Sequence, residues 1–200
     1  MDTGMRRNDG FANDGRIWFV LIKNTLSRFG LFSKLLHWLI AVLILGLIWL
    51  GWYMVDLTYY DKWYNDSLHY HKSVGILALA LALFKLGWQR YTPAPDPLAD
   101  LQTWEKTGAR FMHYVLWGMM LLIPVTGYLI STSAGKPIQL FNWFALPAVI
   151  DVDEELRDLA IAVHYYLAYA TLFLVLGHAG AALKHHFINK DDTLKRMLWK

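Results

Sequence analysis

Leu35–Val55 reads LLHWLIAVLILGLIWLGWYMV, an unbroken apolar run with no formal charge. A bilayer core about 30 Å thick is crossed by about 20 apolar residues in a helix. The run has that length, so it predicts a transmembrane helix. A soluble helix would interrupt it with a polar face.

Three further runs follow. His71–Trp88 has one interior charge, Lys85, near enough to its end for the ammonium to snorkel outward. Phe111–Ile130 contains Pro124, which membrane helices tolerate when neighbours satisfy the freed carbonyl. Leu159–Leu183 closes the series. The chain as a whole is 56% hydrophobic, above the ~45–50% usual for soluble domains. The predicted fold is an all-α integral membrane bundle of four transmembrane helices. Length predicts one domain over residues 31–200. Residues 1–30 are predicted to be a disordered or interfacial extension. Ile17–Ile22 is too short to span, or to form the ~7–15-residue core of a signal peptide.

The loops are unlike one another. Asp56–Tyr70 is aromatic and acidic, Arg90–Arg110 opens on TPAPDP, and Ser131–Asp158 carries Gly135, Pro137 and Pro147. Of the 19 Lys and Arg, only Lys62, Lys72, Lys136 and Arg157 fall in the first and third loops and their flanks. The rest lie in the two terminal segments and around the second loop. The positive-inside rule then predicts both termini in the cytoplasm. The net charge of +3 is therefore a topological signal, with no nucleic-acid partner implied. There is no cysteine, which excludes disulfides, iron–sulfur clusters and covalent haem attachment through C-x-x-C-H.

Ionisable side chains in a span are costly and usually functional. His164 and His178 on the fourth helix are 14 residues apart. That is close to four turns, so both point the same way, separated by roughly 21 Å of rise. If successive helices alternate in direction, His71 is level with His164 and His37 with His178. Two histidine pairs result, one towards each face. Facing imidazoles suit the two axial positions of a haem iron, and helix bundles commonly hold cofactors between facing helices. A porphyrin also needs room beside each ligand. The residue four positions on is small in every case: Ala41, Gly75, Ala168 and Ala182. His113 has Trp117 there, which would obstruct a flat ring. His69, His113, His185 and His186 read as interfacial histidines, although His185 stays a rival to His178 because a spacing of seven keeps one face. Lys72 and Lys136, scarce cations on their side, are candidates for pairing with haem propionates.

Several segments resemble the bacterial cytochrome b561 family. They are Ser33-Lys34-Leu35-Leu36-His37-Trp38, His71-Lys72-Ser73-Val74-Gly75, Gly127-Tyr128-Leu129-Ile130-Ser131-Thr132 and Gly135-Lys136-Pro137. The tail Lys184–Met197 is similar as well, and the resemblance covers residues 31–200. It implies a small stand-alone dihaem b cytochrome of the Gram-negative inner membrane that exchanges electrons with quinone. One member of that family is a superoxide:ubiquinone oxidoreductase. The resemblance carries His37 and His178 over as ligands of one haem, and His71 and His164 as ligands of the other. With both axial positions filled, electron transfer is expected rather than oxygen activation.

Two alternatives remain open on the sequence. The chain could be the haem-bearing anchor of a larger dehydrogenase or hydrogenase, docking a partner through Ser131–Asp158. It could instead be a histidine-based metal transporter or membrane metalloenzyme. The predicted spans contain no Asp or Glu, which counts against the second.

Overall fold

The computed structural model describes residues 22–198. Four long helices follow one another: α1 (Leu31–Val55), α2 (Tyr64–Tyr91), α3 (Thr103–Thr132) and α4 (Glu154–Lys184). All four are long and apolar enough to cross a membrane. Each sequential pair packs together, and α4 returns to α1 through a much thinner contact. The bundle is thus a ring of four with a loose seam between α1 and α4. Of the expected extension, residues 1–21 lie outside the described residues.

Every helix begins before its apolar run does, because the polar ends project past the apolar zone. Capping chemistry fixes two of those starts. Asp153 accepts from the Leu156 amide at 2.8 Å to open α4, and Glu105 accepts from the Gln102 amide at 3.1 Å to open α3. At the start of α1, Gly30 donates to Asn24 Oδ1 at 2.9 Å. A Cβ there would collide with the backbone of Ile22 and Lys23, so only glycine lets the chain pass so closely.

The lateral faces are apolar and exposed. Along α1 this face is formed by Val42, Leu45, Trp49 and Trp52, Val42 being 65% exposed. The spacing of three to four keeps them on one stripe, and in a bilayer that stripe meets lipid.

Two ends can be distinguished. At one end, the loop after α3 holds what the sequence did not predict, a small antiparallel hairpin of β1 (Ile138–Leu140) and β2 (Phe144–Leu146). Three-residue strands are too short to show a period of two. Phe141 and Asn142 turn the hairpin with φ of 44° and 61°. Ser73 of α2, wholly buried, clamps it: its hydroxyl donates to the Gln139 carbonyl at 3.3 Å and accepts from the Phe141 amide at 3.1 Å. Tyr128 of α3 ties down the exit, donating to the Pro147 carbonyl at 2.8 Å and accepting from the Val149 amide at 2.9 Å.

At the other end the N-terminal lead, the α2–α3 loop and the C-terminal tail are laced together. Beyond α4 the chain passes through a π-helical turn, His185–Asn189, stopped by Lys190 at φ 58°. The tail then folds back. Lys34 Nζ donates to the Leu198 carbonyl at 2.7 Å, Trp38 Nε1 to that of Met197 at 2.9 Å, and Arg196 to that of Asp96 at 2.7 Å.

Candidate haem site

The structure pairs the four histidines as their spacing predicts. His71 on α2 and His164 on α4 face each other diagonally across the bundle near the hairpin end, with ring centroids 6.2 Å apart. His37 on α1 and His178 on α4 meet near the termini end at 6.3 Å. These separations can be tested against chemistry. An imidazole nitrogen binds a first-row metal at about 2.0–2.1 Å. With about 1.1 Å more from nitrogen to ring centre, two rings on opposite sides of one ion stand roughly 6.3 Å apart. Both pairs have that spacing.

The hairpin-end pair lies in a cavity of about 360 Å³ walled by all four helices, within the ~300–1,000 Å³ usual for cofactor-sized ligands. Its walls are mostly apolar, and Gly75 and Ala168, the small residues read beside His71 and His164, are part of them. Two glycines make the close approach possible. A Cβ on Gly51 would stand 3.4 Å from His71 Cε1, and one on Gly127 3.3 Å from His164 Cε1.

The histidine nitrogens are differently engaged. His164 Nδ1 faces the Ile123 carbonyl at 3.1 Å and Thr126 Oγ1 at 3.0 Å. A carbonyl only accepts, so Nδ1 carries the proton and Nε2 is left with its lone pair. The Thr126 hydroxyl also donates to the Ile123 carbonyl at 2.8 Å, fixing the rotamer of this second support. His71 keeps a buried Nδ1 with no hydrogen-bond partner. Lys72 borders the same cavity, whereas Lys136 is exposed in the loop and does not.

At the termini end the surroundings are more polar. His113 reads in the sequence as an interfacial histidine, but α3 brings its ring to 5.4 Å from that of His178. That separation is shorter than the roughly 6.3 Å of two imidazoles on opposite sides of one ion. Lys85 reaches in from α2 to within electrostatic range of His37, His113 and His178. His185, the sequence-level rival to His178, is turned elsewhere. Its Nδ1 pairs with Asp191 at 2.6 Å and its Nε2 lies 4.0 Å from Glu105. Glu105 in turn accepts from Lys184 at 2.8 Å.

One signal would have revealed the missed positions. His37 and Gly51, His71 and Lys85, His113 and Gly127, and His164 and His178 are all 14 residues apart. Each helix therefore presents two positions to the bundle axis on one stripe, four turns apart. Towards the hairpin the axial positions are Gly51, His71, Gly127 and His164. Towards the termini they are His37, Lys85, His113 and His178.

Paired imidazoles spaced for an ion, in an apolar cradle inside a four-helix membrane bundle, define a class: the membrane b-type cytochromes. Residues 28–200 match the family described as prokaryotic cytochrome b561, and the chain belongs to that family. It is 43% identical to cytochrome b561 homolog 2 of Escherichia coli (strain K12), over 88% of this chain and 94% of that one. It is 28% identical to cytochrome b561 homolog 1 of the same organism, over 86% and 98%. It is 29% identical to the probable superoxide oxidase CybB of Yersinia pestis, over 82% and 92%. The chain is a multi-pass bacterial inner-membrane cytochrome that binds b-type haem and carries electrons.

Proposed function

We propose that the chain holds two b haems, one in each histidine layer, and moves electrons between the two ends of the bundle in exchange with membrane quinone. His71 and His164 would hold the haem nearer the hairpin, and His37 and His178 the haem nearer the termini. The observation that carries this reading is the pair of centroid separations, 6.2 and 6.3 Å, each matching two imidazoles on one metal ion. Bound haem supplies a one-electron couple. The protein's work is to fix, desolvate and bias it.

That work is divided among named residues. The Ile123 carbonyl and Thr126 hydroxyl hold His164 in the tautomer whose Nε2 can ligate, and enrich the ring as a donor. Gly51 and Gly127 let α1 and α3 close on the two rings. The four helices bury the path through the bilayer. Lys and Arg concentrated around the termini and the α2–α3 loop support a cytoplasmic location for both termini. The hairpin then lies on the periplasmic side. Residues 31–200 form the domain in this reading, and the described part of the lead is tied onto it where Asn24 bonds Thr92 at 2.9 Å.

Lys72, at the edge of the hairpin-end cavity, favours one class of donor. A cation at the edge of an apolar cavity attracts a small anion, and the Yersinia pestis relative is named a probable superoxide oxidase. Superoxide is accordingly the first donor to try with the isolated chain. The anchor-subunit alternative would instead give a stoichiometric soluble partner on purification and no turnover alone. The metal-transport alternative needs clustered donors, and among the described residues no group of three or more His, Cys, Asp or Glu is arranged to hold an ion.

The test is a reduced-minus-oxidised spectrum of the detergent-purified chain, with haem counted by pyridine haemochrome. Two haems per chain are expected, one being lost in His71→Ala and the other in His178→Ala. A single haem, or both variants losing the same one, would overturn the assignment.

A further inference from the structure

Lys85 occupies on α2 the position that His178 occupies on α4. It lies 14 residues beyond His71, as His178 lies beyond His164. The register turns it to the bundle axis, level with the termini-end histidines. A lysine that merely snorkels would lead its ammonium away from the axis. This one lies within electrostatic reach of His37, His113 and His178. Its Nζ stands 5.1 Å from the centre of the Trp117 ring, whose face steadies a cation in place. Among the described residues no carboxylate pairs with it, whereas Lys184 pairs with Glu105 at 2.8 Å.

A cation held at the axis of an apolar bundle without a counter-ion calls for an anion. Haem b brings anions of its own, two propionate carboxylates. We propose that Lys85 is the counter-cation of the haem nearer the termini and binds a propionate carboxylate by a charge-assisted hydrogen bond. This rests on the two-haem reading above. It corrects the view of Lys85 as an incidental charge at a helix end. It also separates the two sites, because the hairpin layer has no cation at an axial position and only Lys72 at its margin.

A cation beside a haem favours the reduced form, which carries one positive charge fewer. Removing it lowers the potential. The test compares wild type, Lys85→Gln and Lys85→Arg in detergent, with His178→Ala identifying the relevant haem. The readouts are redox titration and infrared redox-difference spectra of protein loaded with haem ¹³C-labelled at the propionate carboxyls. Lys85→Gln is expected to lower the midpoint potential of the haem that His178→Ala removes, leave the other unchanged, and shift the isotope-sensitive carboxylate bands. Lys85→Arg is expected to retain the potential while moving the same bands, as guanidinium replaces ammonium. Should the Gln variant fail to fold, the Arg bands decide alone. Carboxylate bands unchanged in both variants, or in Arg alone where Gln does not fold, would sink the proposal while leaving the two-haem reading intact. An equal fall in potential in both variants would reduce Lys85 to a packing role. A wild-type chain with one haem would overturn the two-haem reading and the proposal with it.

Discussion

The hairpin layer and the termini layer use the same register on the same four helices and fill it differently. One has glycines at two of its four axial positions, the other a lysine and a third histidine. Near the hairpin the two histidines line a mostly apolar cavity with Lys72 at its edge, and their rings are approached by backbone. Near the termini the corresponding pair shares its surroundings with His113 and Lys85. The difference teaches that one bundle geometry can give two imidazole pairs of equal span and unequal polarity. Unequal polarity is a physical basis for unequal potentials, since net charge and burial both tune a haem.

The largest effect should come from filling the hairpin layer. Gly127→Val places a branched side chain against His164, where even a Cβ meets Cε1 at 3.3 Å. On the two-haem proposal, loss of one haem is expected, with the spectrum of the other unchanged. Gly46→Val, whose Cβ meets nothing within 4 Å, is the control and should keep both. Equal loss in the two variants would dissolve the distinction between the layers.

Next comes the support of His164. Thr126→Val removes one of two acceptors of the Nδ1 proton and leaves the Ile123 carbonyl. Retention of the hairpin-end haem should fall about tenfold, measured by transfer to an apo-haemoprotein acceptor. The termini-end haem should be indifferent. A smaller global effect follows from Ser73→Ala, which strips two hydrogen bonds from the hairpin at a fully buried site. A cost of about 1–3 kcal/mol is expected, read as faster proteolysis within the hairpin at unchanged haem content.

The smallest effect concerns the tail at the termini end. Burial pushes the Asp191 carboxyl up, but hydrogen bonds from Thr193 and His185 outweigh it and hold the group below its ordinary value. A depressed carboxyl contributes stability that is present above its unfolded value and lost as pH falls through its folded one. The tail should therefore loosen only below the usual carboxylate range, near pH 4 and downward. Limited proteolysis after Lys190 checks this, and Asp191→Asn should loosen the tail already at neutral pH. Insensitivity of both would mean that the Lys34 and Trp38 bonds hold the tail unaided.

Much of this was legible beforehand. Four apolar runs gave four helices, because a span must satisfy its own backbone and so advertises itself in composition. The two histidine pairs followed from one spacing of 14 on α4 together with alternating helix direction. The structure puts them at 6.2 and 6.3 Å. The helix ends were underestimated, since their polar caps carry no hydropathy signal. The hairpin was missed because its strands are too short to show a period.

What the sequence determined alone is therefore the number of spans, the stripe of His164 and His178 on α4, and which histidines lie level with one another. These follow from the fixed rise and turn of the helix. Tertiary structure decided what lies beside each stripe. That Gly51 clears room for His71, that Gly127 does so for His164, and that Lys85 and His113 converge on His178 all depend on which helices are neighbours and how closely they approach. That information belongs to packing between helices, and periodicity within any one of them does not contain it.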